Sequence, residues 1–167
     1  MDTFDKLPTP RDEPISSPQL PTLDDCRRAA VTCASGNLRK AARSVTQVYE
    51  DALRPLGIRA TQFPILMATH ALRSVSVTEL ADTLFIDRTT LTRNLRPLER
   101  RGLLSIEVAR DRRVKMIALT DVGRDLLARA YSAWVVTQRE VAEGLGPDRL
   151  QRLLDDLSAA VDFAHDR

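Results

Sequence analysis

Cysteine, histidine, lysine and aromatic residues are all scarce in this 167-residue chain: two Cys, two His, three Lys, one Trp, two Tyr and four Phe. Two His and two Cys are too few for a metal centre built from the usual soft and imidazole ligands. The chain has no H-x-x-x-H, no C-x-x-C, no glycine-rich phosphate loop and no G-x-S-x-G. Those absences remove the common hydrolase, redox and nucleotide-binding signatures, so no enzyme and no cofactor is expected. No apolar run reaches the roughly 18 residues a membrane span needs. The opening "MDTFDKLPTPRDEPISSPQLP" has no basic start leading into an apolar core. No secretory signal is therefore expected, and the chain is read as cytoplasmic. In that compartment two cysteines do not make a disulfide framework.

What is present is arginine. Of 25 basic residues, 22 are Arg, yet the net charge is only +2. Arginine forks onto phosphates and guanine edges, although a GC-rich coding bias gives the same excess. Position therefore matters more than number. Between Arg88 and Lys115 there are nine basic residues and three acidic ones, a local charge of +6. The remainder of the chain is net acidic, at −4. A basic patch on an acidic body suits a nucleic-acid partner.

Five of nine prolines fall in residues 1–21, which are read as a flexible N-terminal tail or an arm lying on a partner subunit. "TLDD" at Thr22–Asp25 has the pattern of a capping box. It opens a long helix to about Leu53, whose stripe is Val31, Leu38, Ala42, Val45, Val48 and Leu53, with Gly36 and Asn37 as a place to split it. Pro55 and Gly57 end it. Thr61 is placed to cap a second helix, with Pro64 in its first turn and Phe63, Ile65, Leu66 and Leu72 inward. A short third helix buries Val77, Leu80, Ala81 and Leu84.

The fourth helix is "RTTLTRNLRPLERR", with Asp87 as its N-cap and Gly102 as its close. Leu91, Leu95 and Leu98 form one apolar stripe. Pro97 is expected to bend the helix, because it removes the N–H that would bond Arg93. Arg88, Thr89, Thr92, Arg93 and Arg96 lie opposite the leucines, and Thr90 adjoins them. Two alternating runs, 103–109 and 114–120, read as a hairpin with the charged tip "RDRR". Thr120 and Asp121 start a long helix to about Gly144, with the stripe Val122, Leu126, Leu127, Ala130, Trp134, Gln138 and Val141. Pro147 starts a last helix, with the stripe Leu150, Leu153, Leu154, Leu157, Val161 and Ala164.

Two short helices, about 8 and about 14 residues long, then a hairpin, form a winged helix-turn-helix whose second helix enters the major groove. The fold class is mainly α with a small β-hairpin wing and with N- and C-terminal dimerisation helices. The divisions are residues 1–21 as tail, 22–58 as N-terminal helix, 59–119 as DNA-binding domain and 120–167 as C-terminal dimerisation helices. A helical dimer that binds proteins and not DNA is the competing reading. It expects no salt-dependent DNA binding.

Over roughly residues 38–165 the sequence resembles the MarR family of bacterial transcriptional regulators. The resemblance rests on "LRPLGIRATQFPIL", on "VTELADTLFIDRTTLTRNLRPLERRGLL" and on "RDRRVKMIALTDVGR". The last run fits the family's wing signature at Asp111, Arg113, Leu119, Thr120 and Gly123. The resemblance implies a homodimer on a pseudo-palindromic operator in double-stranded DNA, acting by repression or activation, with repression the expected mode. It also implies that Arg113, oriented by Asp111 and next to Arg112, enters the minor groove. Regulation by a small effector or by oxidation follows from the same resemblance. Two sensors are candidates: the thiols Cys26 and Cys33, seven residues apart, and a pocket for an aromatic ligand drawn from Arg39, Arg43, Tyr49, His70 and Trp134. Two helical turns are about 10 Å, too long for a disulfide between the two cysteines in an unbroken helix.

Overall fold

The computed structural model describes residues 20–108 and 114–165. The tail up to residue 19 and the hairpin tip, with Asp111, Arg112 and Arg113, lie outside the described residues. The chain divides into two compact units, Met1–Thr46 and Gln47–Arg167.

In the first unit, helix α1 spans Leu23–Thr32. Its capping box forms as expected: Asp25 N–H donates to the Thr22 hydroxyl oxygen at 3.2 Å, and Thr22 N–H donates to the Asp25 carboxylate at 3.0 Å. The helix stops at Cys33, whose ψ of 106° is extended. The break thus falls three residues before Gly36 and is stabilised from Asn37. The Asn37 amide donates to the carbonyls of Val31 and Cys33, at 3.1 and 3.0 Å. The first bond satisfies a carbonyl that the interrupted helix leaves open, and the Cys33 carbonyl also accepts from Asn37 N–H at 3.0 Å. Helix α2 then runs Ala34–Leu53. Val31, Leu38, Val45 and Val48 of the expected stripe are exposed in the single chain, whereas Leu53 is buried.

The second unit holds the core. A 3-10 turn, Arg54–Leu56, ends at Gly57, whose φ of +71° is left-handed. Helix α3 is Phe63–Leu72. Gln62, not Thr61, stands at its N-cap, and no side chain caps it. The Gln62 side-chain amide oxygen instead accepts from Arg59 N–H at 3.0 Å and closes the preceding turn. Phe63, Ile65 and Leu66 are buried as expected. Leu72 is exposed, because the helix ends there and Arg73 takes a φ of +62°.

Strand β1, Ser74–Ser76, has no counterpart in the sequence reading. It pairs antiparallel with β3 (Lys115–Leu119), which pairs on its other side with β2 (Leu104–Val108). The wing is therefore a three-stranded sheet of order β1-β3-β2. Helix α4, Val77–Thr83, follows β1 directly and is capped by the Ser76 hydroxyl, which accepts from Glu79 N–H at 3.1 Å.

Helix α4 closes in a Schellman motif. Ile86 N–H donates to the Ala81 carbonyl and Phe85 N–H to the Asp82 carbonyl, each at 3.1 Å. That places Phe85 at φ +51°, where glycine is usual. Helix α5, Arg88–Arg100, continues as a single helix across Pro97. Helix α6, Asp121–Leu145, begins at the Thr120 cap, and helix α7 is Pro147–His165. Leu126, Leu127 and Ala130 of α6 are buried, but Val122 is exposed and Gly123 takes the inner position. No helix among the described residues is long and apolar enough to cross a membrane.

Candidate nucleic-acid interface

Helix α5 owes its orientation to three leucines. Leu91, Leu95 and Leu98 are 0, 2 and 0% exposed. Burying each contributes roughly 1.5–3 kcal/mol, enough to fix which face looks outward. That outward face carries Arg88, Thr89, Thr90, Thr92, Arg93 and Arg96, all exposed. The ion pairs among the described residues join Arg28 to Asp24 and Asp25, Arg54 to Asp51 and Arg124 to Asp121. None involves Arg88, Arg93 or Arg96, so their charges face solvent.

The hydroxyls are not equivalent. Thr90 belongs to the cap: its N–H and its O–H donate to the Asp87 carboxylate at 2.8 and 2.6 Å. The hydrogen bond from the Thr90 side chain, then that from its backbone, lowers the Asp87 pKa below its ordinary value. Thr92 O–H donates to the Arg88 carbonyl at 2.7 Å, which leaves its lone pairs and methyl group outward. A cleft of about 540 Å³ separates α5 from the root of the wing. Arg88, Thr92 and Arg96 line one side, Lys115 the other, and Leu95 and Ile106 are among its apolar lining residues.

One member of the basic patch points elsewhere. The Arg101 guanidinium donates to the carbonyls of Gly57 and Leu56, back across the fold. No sequence signal marked that pairing, because the partners are backbone atoms more than forty positions away.

The sensor candidates fall in separate places. Cys26 and Cys33 are free and exposed in the first unit. They do not share an uninterrupted helix, since Cys33 is the break itself, and its sulfur accepts from Gly36 N–H at 3.4 Å. Arg39 and Arg43 are exposed on α2 in the same unit. Tyr49, His70 and Trp134 belong to the second unit. Tyr49 O–H donates to the Gln138 amide oxygen at 2.5 Å, and burial raises its pKa. Trp134 lies near Phe63 and Tyr131, with ring centroids 6.1 and 5.6 Å away. His70 is exposed in the last turn of α3.

A model of the MarR family matches residues 56–114, the span from the end of the 3-10 turn to the residue before β3. The M. tuberculosis transcriptional regulator MosR, solved in complex with DNA, is 39% identical, with a TM-score of 0.69 over 79% of this chain and 98% of that one. The chain belongs to the MarR family. It is a winged helix transcriptional regulator and not an enzyme. The transcriptional repressor CouR, bound to a 23-mer DNA duplex, is 30% identical over 80% of this chain and 95% of that one, with a TM-score of 0.73. A mutant of E. coli MarR complexed with operator DNA shares the fold at 21% identity, with a TM-score of 0.71 over 79% of this chain and 96% of that one.

The MarR-type wing signature now has a physical reading. Leu119 is buried. Thr120 caps α6 by accepting from Gly123 N–H at 3.0 Å, and its O–H donates to the Gly102 carbonyl at 2.6 Å.

Proposed function

We propose that this MarR-family regulator binds a pseudo-palindromic operator as a homodimer and acts as a repressor. Helix α5 enters the major groove with Arg88, Thr89, Thr92, Arg93 and Arg96 toward the bases and phosphates. Thr90 serves there by holding the helix start. Arg113, oriented by Asp111 and next to Arg112, enters the adjacent minor groove. The observation that carries this reading is the division of α5 into a buried leucine face and an outward face of threonines and of arginines that form no ion pair among the described residues. Arginine on guanine is worth about 1–3 kcal/mol of discrimination per good pair.

Dimerisation is supported by the apolar side chains that the single chain leaves open. Leu153, Leu154 and Val161 of α7 are all exposed. A second copy covers such a face and sets two copies of α5 about 34–36 Å apart, one turn of DNA. Control takes the form of release by a small aromatic ligand or by oxidation of Cys26 or Cys33.

The test is footprinting on the DNA upstream of its own gene, across a salt series. Protection of about 20 bp with internal symmetry is expected. Affinity should fall steeply with salt, by about 0.9 log units per log unit for each phosphate neutralised. Absence of any protected fragment at low salt overturns the reading in favour of a protein-binding dimer.

A further inference from the structure

We propose that Arg101 does not touch DNA. It is a positioning residue that holds the C-terminal end of α5 to the end of α2, and operator affinity depends on that tie. The inference rests on the DNA-binding reading above.

Arg101 is the C-cap residue of α5 and is exposed. By position it belongs with the basic patch. By geometry its guanidinium is already engaged: one nitrogen donates to the Gly57 carbonyl, the other to the Leu56 carbonyl at 3.3 Å. A planar fork can bridge two consecutive carbonyls, whereas a lysine ammonium is a single point charge on a flexible stem. Among the described residues no carboxylate pairs with Arg101, so carbonyl dipoles meet its charge.

The turn it grips is itself shaped for the contact. Gly57 is left-handed, and a Cβ there would lie 3.2 Å from a guanidinium nitrogen of Arg101. Glycine thus supplies both the backbone angle and the room. Three residues on, Ala60 N–H donates to the Glu50 carboxylate at 2.7 Å. Glu50 lies in the last turns of α2. A carboxylate bond, a tight turn and a guanidinium fork therefore connect α2 to α5 in series. Both end links involve an ionised group, the stronger class of hydrogen bond. Between Leu91 and Leu98 the helix is held by apolar contacts, which resist lifting more than they resist a small tilt. The tie supplies the directional restraint.

The test compares Arg101→Lys, Arg101→Gln and Glu50→Gln with the wild type on the footprinted fragment. Binding is measured across a salt series at a temperature where circular dichroism shows every protein folded. Both Arg101 variants are expected to bind about tenfold more weakly, the scale of one lost charge-assisted bond. The salt slope should stay unchanged, because no phosphate contact is lost. Glu50→Gln should also weaken binding, by about twofold to threefold. Simple electrostatics predicts the reverse for Glu50→Gln, since a negative charge is removed near a polyanion. If lysine restores binding, or if Arg101→Gln lowers the salt slope by about 0.9, Arg101 is a phosphate contact and the proposal fails. It also fails if all three variants bind as the wild type does. A wild-type protein that binds no fragment overturns the DNA reading instead, and the two failures are distinct.

Discussion

Gly123 stands directly against the carbonyl of Leu103. A Cβ built on Gly123 would lie 2.0 Å from that oxygen and 2.9 Å from the carbonyl carbon. The same carbonyl accepts Thr120 N–H at 3.2 Å, so it is pinned from two sides. Glycine here serves close approach of a helix to the residue just before β2 and not a special backbone angle.

Gly123→Ala should therefore be among the most damaging single-methyl changes in the protein. The obstacle is backbone, which cannot rotate away as a side chain can. We expect a loss of about 3 kcal/mol, at the upper end of overpacking costs. Urea unfolding monitored by circular dichroism measures it. A midpoint within error of wild type would show that α6 can shift away from the wing freely.

Phe85 carries the opposite sign. Its left-handed φ of +51° at the helix close strains a bulky side chain that is 66% exposed. Phe85→Gly should raise stability by about 1 kcal/mol, and the melting midpoint by roughly 2–4 °C for a chain of this size. A fall in the midpoint would mean that the phenyl ring contributes more in packing than its backbone costs.

Asp87 makes the start of α5 sensitive to acid. Hydrogen bonds from Thr90 hold its pKa below the ordinary value of 3.8. A carboxylate whose folded pKa is depressed adds stability that is full above the unfolded value. That stability is lost as pH falls through the lowered folded value. Asn caps nearly as well as Asp but does not titrate. Wild type and Asp87→Asn should therefore diverge in unfolding midpoint only below about pH 4, the wild type declining further. Parallel curves down to strong acid would remove Asp87 from the pH dependence.

The α7 face tests the proposed two-fold assembly. Leu154→Asp combined with Val161→Asp places two charges where a second copy would pack, and such burial is prohibitive without partners. Both residues are exposed in the single chain, so the fold itself should survive. Sedimentation should show a monomer, and operator affinity should fall by well over tenfold, since one half-site is then read alone. A dimer that persists would locate the interface elsewhere.

Much of α5 was legible in the sequence because its determinants are local. Asp87, the 91-95-98 leucines and Gly102 lie within one helix length of each other, and each acted as its residue type prescribes. The Thr120 start of α6 and the β2–β3 pairing were legible for the same reason. Strand β1 was not, since three residues of "SVS" acquire strand geometry only by pairing with Met116–Ala118, some forty positions away. The break at Cys33 carries no Gly or Pro and depends on the amide of Asn37. Arg101 shows the limit for site reading. The charge count included it in the basic patch, while its partners are two carbonyls no pattern could reveal.

Strand β1 ends at Ser76, and α4 begins at the next residue. The wing sheet and the first helix of the reading head are thus spliced without a hinge between them. On the DNA-binding reading proposed above, a protein joined in this way meets the double helix like a gauge with fixed jaws. The spacing between one groove and the next then becomes part of what is sensed, and sequences that narrow or twist the duplex to suit those jaws are favoured beyond the bases they display.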